Sequence, residues 1–405
     1  MIFCCGNFDI SLPHMKSEKI KKYSLSFFRT IFLTIILLLF LELICRIGTY
    51  IYYSPNGSSF SNQVMGIWRS DSLLIWDNQP NYTFHDESGS INEIGCRVEL
   101  GDVQMPQKEK GETWILLSGG SAMLGTGSIH EGDYLTITQI TDHSKSTAID
   151  GYLEEELNKS GKGKFKVFNS AVSGHTSWQA FLKVQQLLKK YDFDWVISMD
   201  GQNDPSYIPE GKNAHDISKS YWKSFIESKH PFVHQLEWMK RSALIFCVLR
   251  GKYNFSESLK EEPNREAIIE KWNNYKGERS FLSDTNLVKK GVALFQQSIT
   301  QQNEWLDQQG IKHLHFIQPH LSLREKVKMA PLEKTVYNYY GSLKRDTLST
   351  FMRDIHQLKW KSPKIMSLPE VHHLPFWVFT DYCHLTKEAN QYIAHRMFQL
   401  ILKGE

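Results

Sequence analysis

The sequence lacks the cysteine pattern that indicates a zinc site or a disulfide framework. Only six of its 405 residues are cysteine, and no two of them stand in a C-x-x-C arrangement. Structural zinc sites typically take their ligands from such closely spaced pairs. We therefore expect no metal, and no residue pattern calls for an organic cofactor.

An excess of positive charge is also lacking. The 47 Lys and Arg residues nearly balance the 44 Asp and Glu residues, and the two signs are interspersed. Surfaces that bind nucleic acid are usually strongly basic, so we expect no nucleic-acid partner. Internal repeats and low-complexity tracts are absent as well, and the 41% hydrophobic content is sufficient for a packed core.

One long apolar run stands near the N-terminus. Residues 27–53 read FFRTIFLTIILLLFLELICRIGTYIYY, which exceeds the roughly 20 residues that a helix needs to cross a bilayer. Glu42 and Arg46 lie four residues apart and can pair along one helical face. Residues 54–60 carry no charge, whereas four lysines precede the run: Lys16, Lys19, Lys21 and Lys22. The positive-inside rule then predicts that residues 1–26 are cytoplasmic and that everything after residue 53 lies outside.

We interpret residues 27–53 as a transmembrane signal anchor of the cytoplasmic membrane. The outer side is the periplasm if the source is a Gram-negative bacterium. A cleaved signal peptide fits less well because the run does not end in an A-x-A-like pair of small residues. A buried core helix is the other alternative. Met15 is an alternative start that would remove the first two cysteines. The cysteines beyond the anchor, Cys96, Cys247 and Cys383, are odd in number and cannot all pair within one chain.

The rest of the chain divides into two parts. Residues 54–112 are rich in Asn, Ser, Gly and Asp, which suits an extended stalk or an irregular wrapping segment. Residues 113–405 alternate between strand-like runs and helical stretches. The runs are Trp114–Leu117, Phe165–Val172, Trp195–Met199 and His313–Ile317, and the helices lie near Ala148–Asn158, Trp178–Lys190, Asn286–Gln309 and Lys387–Leu402. This alternation predicts an α/β domain with a mainly parallel sheet covered on both faces.

The alternation lapses at about residues 205–284. This helix-leaning insertion contains the apolar run Ala243–Leu249, which is too short to span lipid. An active-site lid, a docking surface for a partner, and plain packing against the main domain remain open for it.

Three of the predicted strands end in polar motifs. The first leads into Ser118-Gly119-Gly120-Ser121, the second into a loop with Gly174, and the third into Gly201-Gln202-Asn203-Asp204. Because the carboxyl ends of parallel strands form the ligand crevice of such sheets, we expect these motifs to converge. Near the C-terminus, Asp381 and His384 stand three residues apart and can face the same side.

These residues supply each group that acyl transfer at a serine requires. Ser121 is the predicted nucleophile, His384 the base, and Asp381 the acid that orients the imidazole. The backbone N–H groups of Ser121 and Gly174 and the side-chain amide of Asn203 are the predicted oxyanion hole. The context Gly-Gly-Ser-Ala-Met lacks the G-x-S-x-G elbow, which argues against the α/β-hydrolase fold.

The chain resembles the SGNH (GDSL-type) serine hydrolase superfamily. The four residues that name it are matched in order by Ser121, Gly174, Asn203 and His384, with Asp381 as the triad acid. The resemblance covers about residues 113–405, interrupted by the insertion. It implies a three-layer α/β/α fold with a flavodoxin-like sheet.

Two details of the resemblance concern individual residues. The first motif of the superfamily is usually Gly-Asp-Ser, whereas Gly120 takes the place of the acid here. Asn92, Gly95 and Arg97 resemble the Asn-x-x-Gly-[Phe]-Arg element of membrane-anchored bacterial members, with Cys96 where an aromatic residue is usual.

The sequence thus predicts a membrane-anchored serine esterase that acts on carboxylic, short-chain acyl esters, with an acylated carbohydrate or a lipid as the substrate. An O-acyltransferase for a cell-envelope polysaccharide would use the same triad. A catalytically silent envelope scaffold is the third reading. His175 is a candidate for substrate contact because it stands within the Gly174 motif. The oligomeric state is left open.

Overall fold

The structure is a computed structural model that describes residues 17–53, 67–84, 88–125, 144–204, 242–258, 285–341 and 345–404. Most of the predicted insertion, residues 205–241 and 259–284, lies outside these ranges. In chain order the helices and strands are α1 (Ser17–Tyr53), β1 (Trp68–Asp71), β2 (Ile75–Asn78), β3 (Tyr82–Thr83), β4 (Ser90–Ile91), β5 (Arg97–Val98), β6 (Glu112–Gly119), α2 (Ser121–Leu124), α3 (Ile149–Lys159), β7 (Lys164–Asn169), α4 (Ser177–Leu188), β8 (Trp195–Asp200), α5 (Ala243–Ser258), α6 (Thr285–Gln308), β9 (Lys312–Ile317), α7 (Pro331–Gly341), α8 (Arg345–Gln357), β10 (Ile365–Ser367) and α9 (Lys387–Lys403).

The four predicted strand runs correspond to β6, β7, β8 and β9, and the four predicted helices to α3, α4, α6 and α9. The central sheet has the strand order β10-β9-β8-β6-β7-β5-β4-β3. Its members β10, β9, β8, β6 and β7 are parallel. Numbered along the chain, these five have the flavodoxin-like order 2-1-3-4-5, whose switch point lies between the first and third strands. The predicted fold class is confirmed.

Helices cover both faces of the sheet. Ile115 and Leu117 of β6 point to one face, where they pack with residues of α3 and α9. Trp114 and Leu116 point to the opposite face, where residues of α4 and the end of α6 cover them. This alternation along one strand is the reason the run between residues 114 and 117 is apolar throughout. The result is a three-layer α/β/α domain.

The segment before β6 is part of this domain in its described portion. Strands β3, β4 and β5 extend the sheet in antiparallel fashion, and β5 pairs with β7. The β1–β2 hairpin is fastened by a buried ion pair between Asp77 Oδ1 and Lys183 Nζ at 2.6 Å. The described residues between 67 and 112 therefore pack onto the main domain and extend its sheet.

Helix α1 contains the segment Leu25–Ile51, which is long and apolar enough to cross a membrane. An 18-residue window of this segment has a mean hydropathy of 2.5 and no residue buried in the protein. Helix α5, from the predicted insertion, packs against it.

Candidate active site

Ser121 is placed by a sharp turn at the carboxyl end of β6. Gly119 ends the strand with φ of +151°, and a Cβ there would lie 2.3 Å from the carbonyl oxygen of Met199 on β8. Glycine is therefore required at this position. Gly120 is the N-cap of α2, and Ser121 is the first residue of that helix. The turn presents the serine hydroxyl at the sheet edge, next to backbone N–H groups of a helix N-terminus.

His384 joins Ser121 and Asp381 in one chain of hydrogen bonds. Ser121 Oγ lies 2.7 Å from His384 Nε2, and Asp381 Oδ2 lies 2.6 Å from the other ring nitrogen, Nδ1. The imidazole and the carboxylate are 17% and 11% exposed. A hydroxyl, an imidazole and a carboxylate connected in this order allow a serine to act as a nucleophile.

The turn from Asp381 to His384 is folded by the same carboxylate that orients the imidazole. Asp381 Oδ1 accepts hydrogen bonds from the backbone N–H groups of Cys383 and His384, both at 2.8 Å. The turn is closed by a hydrogen bond from Thr380 N–H to the His384 carbonyl at 2.9 Å. The spacing of three residues thus lets one carboxylate fix both the backbone and the ring.

The two ionisable groups of the triad shift each other's pKa. Burial would raise the pKa of Asp381, but the His384 imidazole and the donated hydrogen bonds outweigh burial and hold it below its ordinary value. Burial would lower the pKa of His384, but the Asp381 carboxylate outweighs burial and holds it well above its ordinary value. The carboxylate therefore stabilises the imidazolium that forms when a serine proton is taken up.

Asp381, Cys383 and His384 also bring potential metal-ligating atoms within 4.8 Å of one another. The Cys383 sulfur lies 3.8 Å from His384 Nδ1. Both ring nitrogens of His384 already face triad partners, so a metal ion here would have to displace the carboxylate or the serine. The donor set suits a triad better than a metal centre.

The loop after β7 brings Gly174 beside the nucleophile turn. Val172 N–H in this loop donates to the Gly119 carbonyl at 3.0 Å, which continues the pairing of β6 and β7 beyond the strands. Gly174 follows two residues later with φ of +82°, a conformation that favours glycine. The indole Nε1 of Trp76 donates to the Ser173 carbonyl at 3.0 Å and holds the loop from the other side.

Asn203 reaches the same turn from the end of β8. Its Nδ2 donates to the carbonyl of His175 at 2.9 Å. A Cβ at Gly120 would lie 2.7 Å from this nitrogen, so the amide packs directly over the Gly120 backbone, one residue before the nucleophile. The structure therefore brings together the turn of Ser121, the amide of Asn203 and the loop of Gly174 at the switch point between β6 and β8.

Asp204 is a residue of the site that the sequence reasoning missed. Its Oδ1 accepts the hydroxyl of Ser177 at 2.6 Å, and both of its oxygens lie 3.3 Å from the Ser177 N–H at the start of α4. Burial raises the pKa of Asp204 to about 6. Because Asn203 precedes it and Gly174 lies three residues before Ser177, Asp204 ties the two loops together. The motif Gly-Gln-Asn-Asp carried the signal for it.

Two further side chains support the turn of the triad from behind. Gln318 Nε2, at the end of β9, donates to the Cys383 carbonyl at 3.3 Å. Glu333 of α7 accepts the N–H groups of Val378 and Phe379 at 3.1 and 3.0 Å, and forms a fully buried ion pair with Arg324. The hydrogen bonds to the Cys383 carbonyl and from the Val378 and Phe379 N–H groups join residues 45 to 65 positions apart, so no local sequence pattern indicates them.

Arg97, from the upstream Asn-x-x-Gly-x-Arg element, supports the nucleophile side. Its guanidinium forms a buried ion pair with Asp150 at the start of α3. Asp150 also accepts from Asn169 Nδ2 at 3.1 Å, and the same amide donates to the carbonyl of Met123 in α2 at 2.7 Å. The element therefore fixes the short helix that carries Ser121.

The expected substrate contact of His175 is not what the structure provides. The residue is 1% exposed, its Nε2 lies 2.8 Å from the carbonyl oxygen of Trp76, and its ring packs edge-on against that indole. Burial lowers the pKa of this imidazole to about 4. The ring packs the wrapping segment onto the domain, and only the backbone carbonyl of His175 takes part in the site, through Asn203.

No protein-family model and no curated protein sequence matches the chain. Solved structures do. A carbohydrate acetylesterase family member from Sinorhizobium meliloti aligns with 71% of this chain and 97% of its own, at 10% identity and a TM-score of 0.32. The lipase Lip_vut3 from a goat rumen metagenome aligns with 71% of this chain and 97% of its own, at 10% identity and a TM-score of 0.34. The psychrotrophic esterase EstA from Pseudoalteromonas sp. aligns with 72% of this chain and 97% of its own, at 13% identity and a TM-score of 0.32.

At these identities and TM-scores the three proteins indicate nothing about this chain's substrate. The chain's own geometry can be compared directly with the order of the motifs in its sequence. The parallel strands have the flavodoxin-like order, and the nucleophile, imidazole, carboxylate and amide meet at the switch point. This fold and this arrangement of residues are those that the resemblance to the SGNH (GDSL-type) hydrolase superfamily implies.

Proposed function

We propose that the protein is a serine esterase, anchored in the cytoplasmic membrane by α1, that hydrolyses short-chain carboxylic esters through an acyl-enzyme on Ser121. The observation that carries this proposal is the unbroken hydrogen-bond chain from Asp381 through His384 to Ser121 Oγ, at 2.6 and 2.7 Å. The four lysines before the anchor and the uncharged segment after it support an outer location of the catalytic domain.

In the first step His384 Nε2 takes the proton of Ser121 while Oγ attacks the ester carbonyl carbon. Asp381 keeps Nδ1 protonated and stabilises the imidazolium. The carbonyl oxygen becomes an oxyanion that accepts hydrogen bonds from the N–H groups of Ser121 and Gly174 and from Asn203 Nδ2. An amide nitrogen carries two hydrogens. One binds the His175 carbonyl, and the other is directed to the oxyanion.

Collapse of this intermediate breaks the ester C–O bond, and the imidazolium returns its proton to the leaving alcohol. A water molecule then attacks the acyl-enzyme with His384 as its base, and the carboxylic acid leaves. No step requires a group other than these side chains and water.

The test is hydrolysis of 4-nitrophenyl esters from acetyl to long-chain acyl by the full chain in detergent. We expect activity that is highest with short acyl groups and lost in Ser121→Ala. Ser118→Ala is the matched control, because this serine lies three residues before Ser121, in β6, and its hydroxyl donates to the Ala180 carbonyl away from the triad. Equal turnover by Ser121→Ala and the native protein would contradict the proposal.

The same assay with an added oligosaccharide distinguishes hydrolysis from transfer, since water and a sugar hydroxyl compete for one acyl-enzyme. Release of free acid that is unaffected by the oligosaccharide is the result expected of an esterase. Acyl transfer to the sugar in excess of hydrolysis would instead identify an O-acyltransferase.

A further inference from the structure

Along α1, a single polar stripe is covered by protein. Every side chain from Leu25 to Leu41 is exposed, as a lipid-facing helix requires. Between residues 42 and 51 only Glu42, Cys45 and Thr49 are not fully exposed. Spaced by three and four residues, these three lie on one face of the helix. Small and polar residues on one face are typical of helix contacts in membranes.

Helix α5 covers this stripe. The Glu42 carboxylate accepts hydrogen bonds from the N–H groups of Ala243 and Leu244 at 3.0 and 2.9 Å and from the Ser242 hydroxyl at 2.7 Å. Glu42 thus provides the N-terminal cap of α5 from another helix, where a negative charge is favourable. Burial and the neighbouring thiol of Cys45 raise the pKa of the Cys247 thiol. Glu42 pairs with the first residues of α5, and Cys45 neighbours Cys247. Residue numbers therefore increase together along the contact, and the two helices run in the same direction.

The contact lies at the outer boundary of the bilayer. From Leu25 to Glu42 the helix rises through 17 residues, which is about 26 Å at about 1.5 Å per residue, and the hydrocarbon core is about 30 Å thick. Glu42 then lies only about 4 Å short of the outer edge of the hydrocarbon core, which brings it, its ion-pair partner Arg46 and the start of α5 close to the outer headgroups. An unpaired carboxylate deeper in the bilayer would be costly.

The first two turns of α5 are apolar at this level. Residues 243–249 read ALIFCVL, between Arg241 and Arg250. Ala243 and Phe246 are buried, whereas Val248 is 61% exposed, and Ile47 and Ile51 on the outer part of α1 are exposed as well. An apolar run with a basic residue on either side in the sequence suits the interface of an anionic bilayer.

We propose that α5 is a second membrane contact, which packs on the outer end of the anchor through Glu42 and places its apolar residues 243–249 in the headgroup region of the outer leaflet. This inference rests on the proposed anchor but not on the proposed chemistry. It gives the insertion a role: to hold the catalytic domain at the lipid surface.

Packing on the anchor is tested by oxidative cross-linking of the full chain in vesicles of phosphatidylethanolamine and phosphatidylglycerol. Copper phenanthroline should convert Cys45 and Cys247 into a disulfide, identified by peptide mass. The matched control moves the cysteine one position around α1, as Cys45→Ser with Ile44→Cys, and should give no cross-link. Absence of the Cys45–Cys247 disulfide, or equal cross-linking from position 44, would overturn the contact.

Lipid contact is tested with a fluorescent NBD label on single cysteines and phospholipids that carry a nitroxide quencher near the headgroup. A label at Val248→Cys should lose fluorescence as one at Leu43→Cys on the anchor does. The matched control is Val327→Cys, an 82% exposed valine of the catalytic domain, whose label should keep its fluorescence.

Quenching at Leu43 without quenching at Val248 would overturn the second membrane contact while leaving the anchor intact. Absence of quenching at Leu43 would overturn both the anchor and this inference. Neither result bears on ester hydrolysis, which is measured separately.

Discussion

The fit of Asn203 over Gly120 leads to a prediction about the role of this glycine. Gly120 has φ of −91°, so alanine meets no backbone strain there. Its Cβ, however, would lie 2.7 Å from Asn203 Nδ2. Non-bonded heavy atoms are best separated by about 3.5 Å, so the amide must move by about 0.8 Å. The hydrogen bond from Asn203 to the His175 carbonyl opposes that movement.

We therefore expect Gly120→Ala to remove the Asn203 donor from the oxyanion hole. Loss of one such donor lowers kcat by about 10²–10³, or about 2.7–4 kcal/mol in activation free energy. The single variants Gly120→Ala and Asn203→Ala should show similar losses, measured as initial rates of ester hydrolysis.

The double variant tests the reasoning. In the Asn203→Ala background the methyl group at position 120 enters space that the amide has left, so Gly120→Ala should add little further loss. Losses that multiply in the double variant would show that position 120 acts by another route and would refute the argument. Urea denaturation of each variant checks that folding is not the cause.

Three further predictions concern the groups that hold the site. The kcat/KM of the native protein should rise with pH as His384 loses its proton, with an inflection above 6.5 because Asp381 raises the pKa of His384. Asp381→Asn should lower kcat by about 10⁴-fold and move the inflection to lower pH. An unmoved inflection in the pH–rate profile would contradict the effect of Asp381 on the pKa of His384. Asp204→Ala removes the carboxylate that accepts from the Ser177 N–H and hydroxyl, so it should lower kcat and should also lower the free energy of unfolding by about 1–3 kcal/mol. Asp204→Asn keeps an acceptor oxygen and should recover most of both. Equal losses in the two variants, measured by initial rates and urea denaturation, would argue against the tie between the loops. Glu333→Ala removes the carboxylate that balances the charge of the buried Arg324 and leaves it only backbone carbonyls as hydrogen-bond partners. It should cost about 3–5 kcal/mol of unfolding free energy, while Glu155→Ala, which breaks the exposed pair with Lys159, should cost at most about 1 kcal/mol; similar costs in denaturation experiments would contradict the assigned burial.

Much of the fold could be predicted because its signals are local. Strands buried on both faces give short apolar runs, as between residues 114 and 117, and their ends are marked by glycine and polar residues. The helices that cover the sheet are long and amphipathic. Each motif of the site directly follows such a strand or lies within one turn, so its position could be inferred from the chain order alone.

Some elements that were not predicted lack a local sequence signal. Others have a signal from which no prediction was drawn. Strands β3 to β5 are two residues long, and their pairing depends on the neighbour that the tertiary fold provides. Helix α8 does carry a helical stripe, with Leu348, Phe351, Met352 and Ile355 all buried, and this periodicity could have revealed it.

The contacts that support the site could not be predicted because they join residues that are distant in the sequence. Asp204 with Ser177, and Glu333 with Val378, join residues 27 and 45 positions apart. The same distance effect explains His175, whose position in a motif favoured a role at the substrate, whereas Trp76, 99 positions away, buries its ring.

In the proposed mechanism Ser121 is the nucleophile that His384 activates. The most direct measurement is peptide mass spectrometry of the full chain after reaction with a fluorophosphonate probe. We expect one adduct, on the peptide that contains Ser121, and none in Ser121→Ala or after heat denaturation. An adduct on another residue, or undiminished labelling of Ser121→Ala, would contradict it.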